Sequence, residues 1–129
     1  MNIILLCEYI ITYSLLRETF MLSKDKMTLY KRQADILQAI GQPIRIAIAN
    51  FLKDGEQCVC DIAEFVGSER SNVSKHLSVM VNAGLLESRK DGLNVIYRLK
   101  CRCIPDFLSC VTDVLKQQAK ENKKLSRVL

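Results

Sequence analysis

A chain of 129 residues, 49% of them apolar, is the size of a single domain with one small core, which makes an oligomer attractive. Nineteen Lys and Arg against fourteen Asp and Glu leave a net charge of +5, which suits a polyanionic partner without by itself requiring one. Six cysteines, Cys7, Cys58, Cys60, Cys101, Cys103 and Cys110, come with no recognisable secretory leader and no dense, evenly spaced pattern; this excludes a small secreted disulfide scaffold and reads as metal-binding or redox groups of a cytoplasmic protein.

In chain order, residues 1–27 form an N-terminal extension. The run from Ile3 to Leu16 is apolar except for Glu8 and a few hydroxyls. It is too short to span a bilayer and lacks a basic start or a small-residue cleavage site, so no membrane contact is expected. Two readings stay open: an extra helix on a dimer face, or translated sequence upstream of a start at Met21 or Met27. From Thr28 to Ile40, Leu29, Ile36, Leu37 and Ile40 fall at helical spacing, with Lys31, Arg32 and Asp35 on the other side. Gly41 stops this helix, Pro43 suits the first turn of the next, and Ile44 to Leu52 is apolar on almost every side, which places it in the core. Asp54-Gly55 supplies a turn, and Asp61 to Val66 resumes helical spacing until Gly67.

Ser68 or Ser71 can cap the following helix, which runs to Ala83-Gly84. Val73, Leu77, Met80 and Val81 form its apolar stripe. The opposite face carries Ser71, Asn72, Ser74, Lys75 and Ser78, none of which needs burial. Two short helices joined by a turn, the second with a polar outer face, describe a helix-turn-helix. After Gly84 the period changes to that of strands, Leu85 to Arg89 and Val95 to Leu99, around Asp91-Gly92. A basic hairpin behind a reading helix is a wing. From Pro105, the residues Phe107, Leu108, Val111, Val114 and Leu115 give a last amphipathic helix, and the charged tail from Lys116 to Arg127 is expected to fray. The fold class is therefore mainly α (α+β): a winged helix-turn-helix with about five helices and a two-stranded wing, in a DNA-binding and dimerisation domain of residues 28–116 followed by a charged tail, 117–129.

The polar face of the reading helix offers hydroxyls and an amide as adaptable donors and acceptors for base edges, and Lys75 as a charge. Arg89, Lys90 and Arg98 on the hairpin are the expected phosphate contacts, since basic groups there displace condensed counterions. His76, the one histidine, reads as a packing or hydrogen-bonding residue rather than a metal ligand. Cys58 and Cys60 are two residues apart, nearly opposite on a helix but on one face of an extended segment. Both sulfurs can meet one ion only where the backbone is extended or distorted, beside the helix-turn-helix. Thiolates are soft ligands suited to arsenite-like trivalent ions, cadmium, lead or zinc, and three or four of them complete a site. With no paired acid and base, no Gly-rich phosphate loop and a single His, an enzyme is not expected, nor is an organic cofactor.

Several linked segments make the chain resemble the arsenic-repressor (ArsR/SmtB) family of metal-sensing regulators over about residues 28–116. They are Ile40-Gly41-Gln42-Pro43-Ile44-Arg45, Glu56-Gln57-Cys58-Val59-Cys60-Asp61-Ile62-Ala63, Ser71-Asn72-Val73-Ser74-Lys75-His76-Leu77, Ala83-Gly84-Leu85-Leu86, and Tyr97-Arg98-Leu99. The resemblance implies a homodimer whose first and last helices form the interface, operator binding without ligand, and release from double-stranded DNA when an ion binds. It also implies that arsenite-sensing members carry a third cysteine three residues after the pair, where this chain has Ala63. Further thiols are therefore expected from Cys101, Cys103 and Cys110, from the same or the other subunit. The family's other common site, of His and carboxylates on the last helix, is not expected, because Asp106 and Asp113 have no His beside them. Arsenite or antimonite is the first expected effector and cadmium or lead the next. Two alternatives are a repressor switched by disulfide formation among the same cysteines, and a zinc-binding interaction module that does not touch DNA.

Overall fold

The computed structural model describes residues 3–20 and 22–128; Met21 lies outside them. The described residues form six α-helices, one short 3-10 turn and three strands: α1 (Ile3–Phe20), α2 (Lys24–Ile40), α3 (Pro43–Phe51), the turn Leu52–Asp54, β1 (Gln57–Cys58), α4 (Val59–Val66), α5 (Arg70–Asn82), β2 (Leu86–Asp91), β3 (Asn94–Leu99) and α6 (Cys103–Val128). The chain divides into two compact units, one ending at Asp35 and the other beginning at Ile36.

In the first unit, α1 is apolar on all sides and exposes Ile4, Leu5, Tyr9, Ile10 and Leu16 among others. Tyr9 and Tyr13 stack one turn apart, with ring centroids at 6.4 Å. No helix among the described residues is long and apolar enough to cross a membrane. The second helix starts at Lys24, not at Thr28, because Ser23 Oγ accepts the Lys26 backbone N–H at 3.2 Å and so satisfies an otherwise unpaired amide of the first turn. The expected boundary at 27/28 therefore falls inside a helix.

The second unit holds the core. Pro43 opens α3, with Gln42 before it in extended backbone, and the helix buries Ile48 and Ala49 completely. Ile62, Val73, Leu77, Met80 and Leu86 are buried around them, and Leu99, Ile104 and Leu108 close the side towards α6. Each fully buried aliphatic side chain contributes about 1.5–3 kcal/mol relative to exposure, so this cluster decides the packing of α3, α4 and α5. Phe51 and Phe65 stack at 4.2 Å where α3 meets α4. Gly67 takes φ 65° and ends α4, with its own N–H on Glu64 O and the Ser68 N–H on Ala63 O; this paired closure needs a left-handed residue.

Neither serine expected to cap α5 does so. Glu69 is the N-cap and makes no side-chain cap bond; Ser71 lies inside the first turn, and Ser68 Oγ instead accepts from Asn72 Nδ2 at 2.9 Å. The wing is an antiparallel sheet of three strands, ordered β1-β3-β2, rather than two. Leu86 pairs with Leu99 and Asp91 with Asn94, leaving Gly92-Leu93 as the two-residue turn, with φ 63° at Gly92. The extra strand is short: Gln57 pairs with Tyr97 and Cys58 with Ile96. The last helix begins at Cys103, before Pro105, and stays helical through the charged tail that was expected to fray.

Candidate nucleic-acid interface and thiol site

Three apolar residues of α5, Val73, Leu77 and Met80, are completely buried. Their spacing of four and three residues turns the other face outward, and Ser71, Asn72, Ser74, Lys75 and Ser78 are all exposed on it. The five residues expected to read DNA thus share one accessible face of a helix fixed from behind by the core. Asn72 is held by its bond to Ser68 Oγ. Lys75 makes no ion pair among the described residues, which leaves its charge available, and His76 is half-buried.

The wing divides the three basic residues expected to act alike. Direct cross-strand partners share a face, so Glu87, Arg89 and Asp91 lie with Arg98, Ile96 and Asn94, while Ser88 and Lys90 lie with Tyr97 and Val95 on the other side. Arg89 Nη2 binds Glu56 Oε1 at 2.6 Å, and its Nη1 lies 3.9 Å from Asp91 Oδ2. Arg98 Nε binds Glu87 Oε2 at 2.8 Å. The hydrogen bond from Arg89 holds the Glu56 carboxyl below the usual carboxylate range, and the same bond pushes the Arg89 guanidinium up. Both groups stay ionised across neutral pH. Arg89 and Arg98 can therefore reach phosphate only by exchanging or sharing a carboxylate, whereas Lys90 makes no ion pair among the described residues.

Cys58 and Cys60 sit on two sides of a strand-to-helix junction. Cys58 ends β1 in extended backbone, φ −76° and ψ 159°, and is the N-cap of α4. Its Sγ accepts the Asp61 backbone N–H at 3.4 Å. Cys60 stands two residues on, in the first turn of α4, near enough for its side chain to act on the Cys58 thiol. The backbone passes from extended at Cys58 to helical at Val59, so the pair does not lie on a regular helix, where two such side chains would point nearly opposite ways. The Asp61 amide pulls the Cys58 pKa down, but the Asp61 side chain, partial burial and the Cys60 side chain outweigh it, and the thiol ends above its ordinary value. The Cys60 sulfur has two partners that the sequence does not suggest: the Arg70 guanidinium donates to it, and it donates to Asn94 Oδ1 at 3.8 Å.

Cys101, Cys103 and Cys110 do not complete a ligand set with this pair. Cys101 and Cys103, expected as thiolate ligands, are joined in a disulfide with their Cα atoms 5.5 Å apart; a sulfur so bonded has no thiolate to offer an ion. Cys110 and Cys7 are exposed and free. Among the described residues no group of three or more His, Cys, Asp or Glu side chains is arranged to hold a metal. Asp113, one of the two carboxylates considered on the last helix, lies 3.5 Å from Lys116. A single chain therefore offers two neighbouring soft side chains at Cys58 and Cys60, short of the three or four ligands a thiophilic ion takes.

Residues 42–88 match the family described as bacterial regulatory protein, arsR family. An HTH-type transcriptional regulator of Methanocaldococcus jannaschii, MJ1325, is 34% identical over 89 residues, spanning 68% of this chain and all of that protein. The chain belongs to the arsR family. Among other relatives, the arsenical resistance operon repressor of Staphylococcus xylosus is 29% identical and matched over 67% of this chain and 82% of its own length. A CadC homolog, a cadmium resistance regulatory protein of Staphylococcus aureus, is 37% identical over 51% of this chain and 55% of its own. The homodimeric winged helix-turn-helix DNA-binding domain of Mb0332 from Mycobacterium bovis superposes with a TM-score of 0.66 at 25% identity, over 78% of this chain and 93% of that one. This arsR-family chain is accordingly a winged helix-turn-helix, DNA-binding transcriptional regulator and not an enzyme. Family membership sets aside the reading as an interaction module that does not touch DNA.

Proposed function

We propose that this regulator is a repressor that binds double-stranded operator DNA as a homodimer and leaves it when a thiophilic ion binds at Cys58 and Cys60, arsenite or antimonite first and cadmium or lead next. The observation that carries the reading is the junction itself: two cysteines flank the start of the helix that supports the DNA-reading helix, and one of them belongs to a strand of the wing sheet. An ion that draws both sulfurs into its own coordination geometry acts on the β1 to α4 backbone, and so on both DNA-facing elements. The names of the arsenical and cadmium resistance relatives support the choice of ions. On the DNA side, Ser71, Asn72, Ser74, Lys75 and Ser78 face the groove and Lys90, with Arg89 and Arg98, the phosphates. Exposed apolar residues support the dimer: Leu29, Tyr30, Ile36 and Leu37 on α2, and Phe107, Val111, Val114 and Leu115 on α6, each a stripe that a lone subunit would leave in water. The missing ligands then come from Cys110, from Cys101 and Cys103 once reduced, or from the partner subunit.

A second reading rests on the Cys101 to Cys103 disulfide: a repressor switched by oxidation of this pair between the wing and α6. The deciding experiment is release of a duplex selected by the protein from a random pool, followed by fluorescence anisotropy during parallel titrations with arsenite, antimonite, cadmium, lead, zinc and a peroxide. Release by arsenite or cadmium under reducing conditions supports the first reading. Release by the oxidant alone supports the second.

A further inference from the structure

Arg70 is the first residue of α5, and its guanidinium donates to Cys60 Sγ, ten positions back along the chain. That sulfur also donates to Asn94 Oδ1 at 3.8 Å, and Asn94 is the residue at which β3 leaves the wing turn. One sulfur thus lies between the first residue of the DNA-reading helix and the tip of the wing. No carboxylate among the described residues forms an ion pair with Arg70, so the contact does not compete with a salt bridge. A guanidinium carries five donors and a sulfur bound to an ion has fewer lone pairs to give; Arg70 and an ion therefore compete for the same acceptor.

We propose that Arg70 is the positioning residue that couples Cys60 to DNA binding. While the Cys60 sulfur carries no ion, it ties the start of α5 to the wing tip through Arg70 and Asn94, and holds these two elements in the spacing that a duplex accepts. An ion binds Cys60 as the thiolate: it takes a sulfur lone pair that Arg70 uses, and the thiol proton that Asn94 accepts is released to solvent, so the tie is lost as the ion binds. Coupling between the two ligands is a free energy shared by both binding equilibria, and it resides here in one residue that need touch neither the ion nor a base. The ion-dependent half of this proposal rests on the sensing function proposed above; the Arg70 to Cys60 coupling does not.

The test uses the full chain and the variants Arg70→Ala, Arg70→Lys, Cys60→Ala and the double variant Arg70→Ala with Cys60→Ala. Duplex affinity is measured by anisotropy with and without cadmium, and cadmium binding by thiolate-to-metal absorption. Arg70→Ala is expected to keep the absorption and bind cadmium several-fold more tightly. Its ratio of duplex affinities without and with cadmium should fall from a parent value in the usual allosteric range, roughly 5–150-fold, to within about twofold. Arg70→Lys, which keeps a donor, should restore part of that ratio; a role in folding alone would not give this pattern. Without any ion, the two single variants should be non-additive, the double variant binding DNA no worse than Arg70→Ala. A parent-like cadmium ratio in Arg70→Ala, or additive effects in the cycle, overturns the proposal. If the parent protein neither absorbs with cadmium nor releases DNA with cadmium or arsenite, the sensing function falls, and the ion-free cycle still decides whether Arg70 and Cys60 are coupled.

Discussion

The Sγ of Cys58 accepts the backbone N–H of Asp61 at 3.4 Å, so one candidate ligand is also the cap of the helix that carries the other. Cap and ligand roles separate by substitution. Serine is a strong N-cap and a poor ligand for a soft ion; alanine is neither. Cys58→Ser should melt at the parent temperature or above it and lose ion-driven release, while Cys58→Ala should melt lower and lose release too. Thermal melts followed by circular dichroism, beside the anisotropy assay, check both halves.

On the DNA side, unpaired cations should matter more than paired ones. Lys75→Ala and Lys90→Ala should each lower the slope of log affinity against log salt by about 1, the mark of one lost phosphate contact. Lys75→Ala should also alter sequence choice, because Lys75 is exposed on the polar face of α5 proposed to read the groove. Arg89→Ala should weaken binding with little change in preference. Salt titrations with two duplexes of different sequence distinguish these outcomes; an unchanged slope in Lys90→Ala would place the wing away from the phosphates.

Glu56 makes a prediction of opposite sign. Its carboxylate neutralises Arg89 at 2.6 Å and would face a phosphate across the wing. Glu56→Gln should release Arg89 and tighten duplex binding several-fold at low salt. Because the bond from Arg89 lowers the Glu56 pKa, the pair stabilises the fold above the ordinary glutamate value of about 4.3 and that contribution disappears as pH falls through the lowered one. The acid side of the parent stability curve should therefore be steeper than that of Glu56→Gln, measured by urea unfolding between pH 3 and about 7.

Two substitutions test how the reading helix is held. Leu77 is completely buried at the centre of α5, and Leu77→Ala should cost about 2–5 kcal/mol through lost burial and the cavity left behind. Gly67, at φ 65°, should cost about 1 kcal/mol as Ala, since a Cβ is strained in left-handed backbone. Urea unfolding measures both. Gly67→Ala should bind the duplex normally well below its melting temperature, because the strain sits in the turn and not in the groove-facing side chains.

Much of this fold was legible because its periodicities are local. The stripe Val73, Leu77 and Met80 announced both α5 and the polar face opposite, and Gly67 and Gly92 stand where left-handed backbone was needed. What escaped the sequence depends on partners far along the chain or on single side chains. A two-residue strand has no period of its own, and β1 exists through its pairing with Tyr97 and Ile96. The early start of α2 hangs on one serine. The tail was misjudged because its apolar stripe ends at Leu115, yet Gln117, Ala119, Lys120 and Glu121 are good helix formers, and Gln117 bonds Glu121 at 3.4 Å. At the site, the Cys58 and Cys60 junction followed from spacing, but no pattern in the sequence links Cys60 to Arg70 or Asn94, nor Glu56 to Arg89. Those pairs arise only when the helix-turn-helix and the wing are packed together. The Cys101 to Cys103 bond was missed for a different reason: the extended geometry that lets two such sulfurs share an ion also lets them bond to each other.

The most direct measurement is arsenite-driven or cadmium-driven release of a selected duplex from the reduced protein, compared with Cys58→Ser and Cys60→Ser under the same conditions. Release of the parent, no release of either variant, and parent-like duplex affinity in Cys58→Ser are the predicted results. Equal release by the parent and both variants would contradict the assignment and move the sensor away from the β1 to α4 junction.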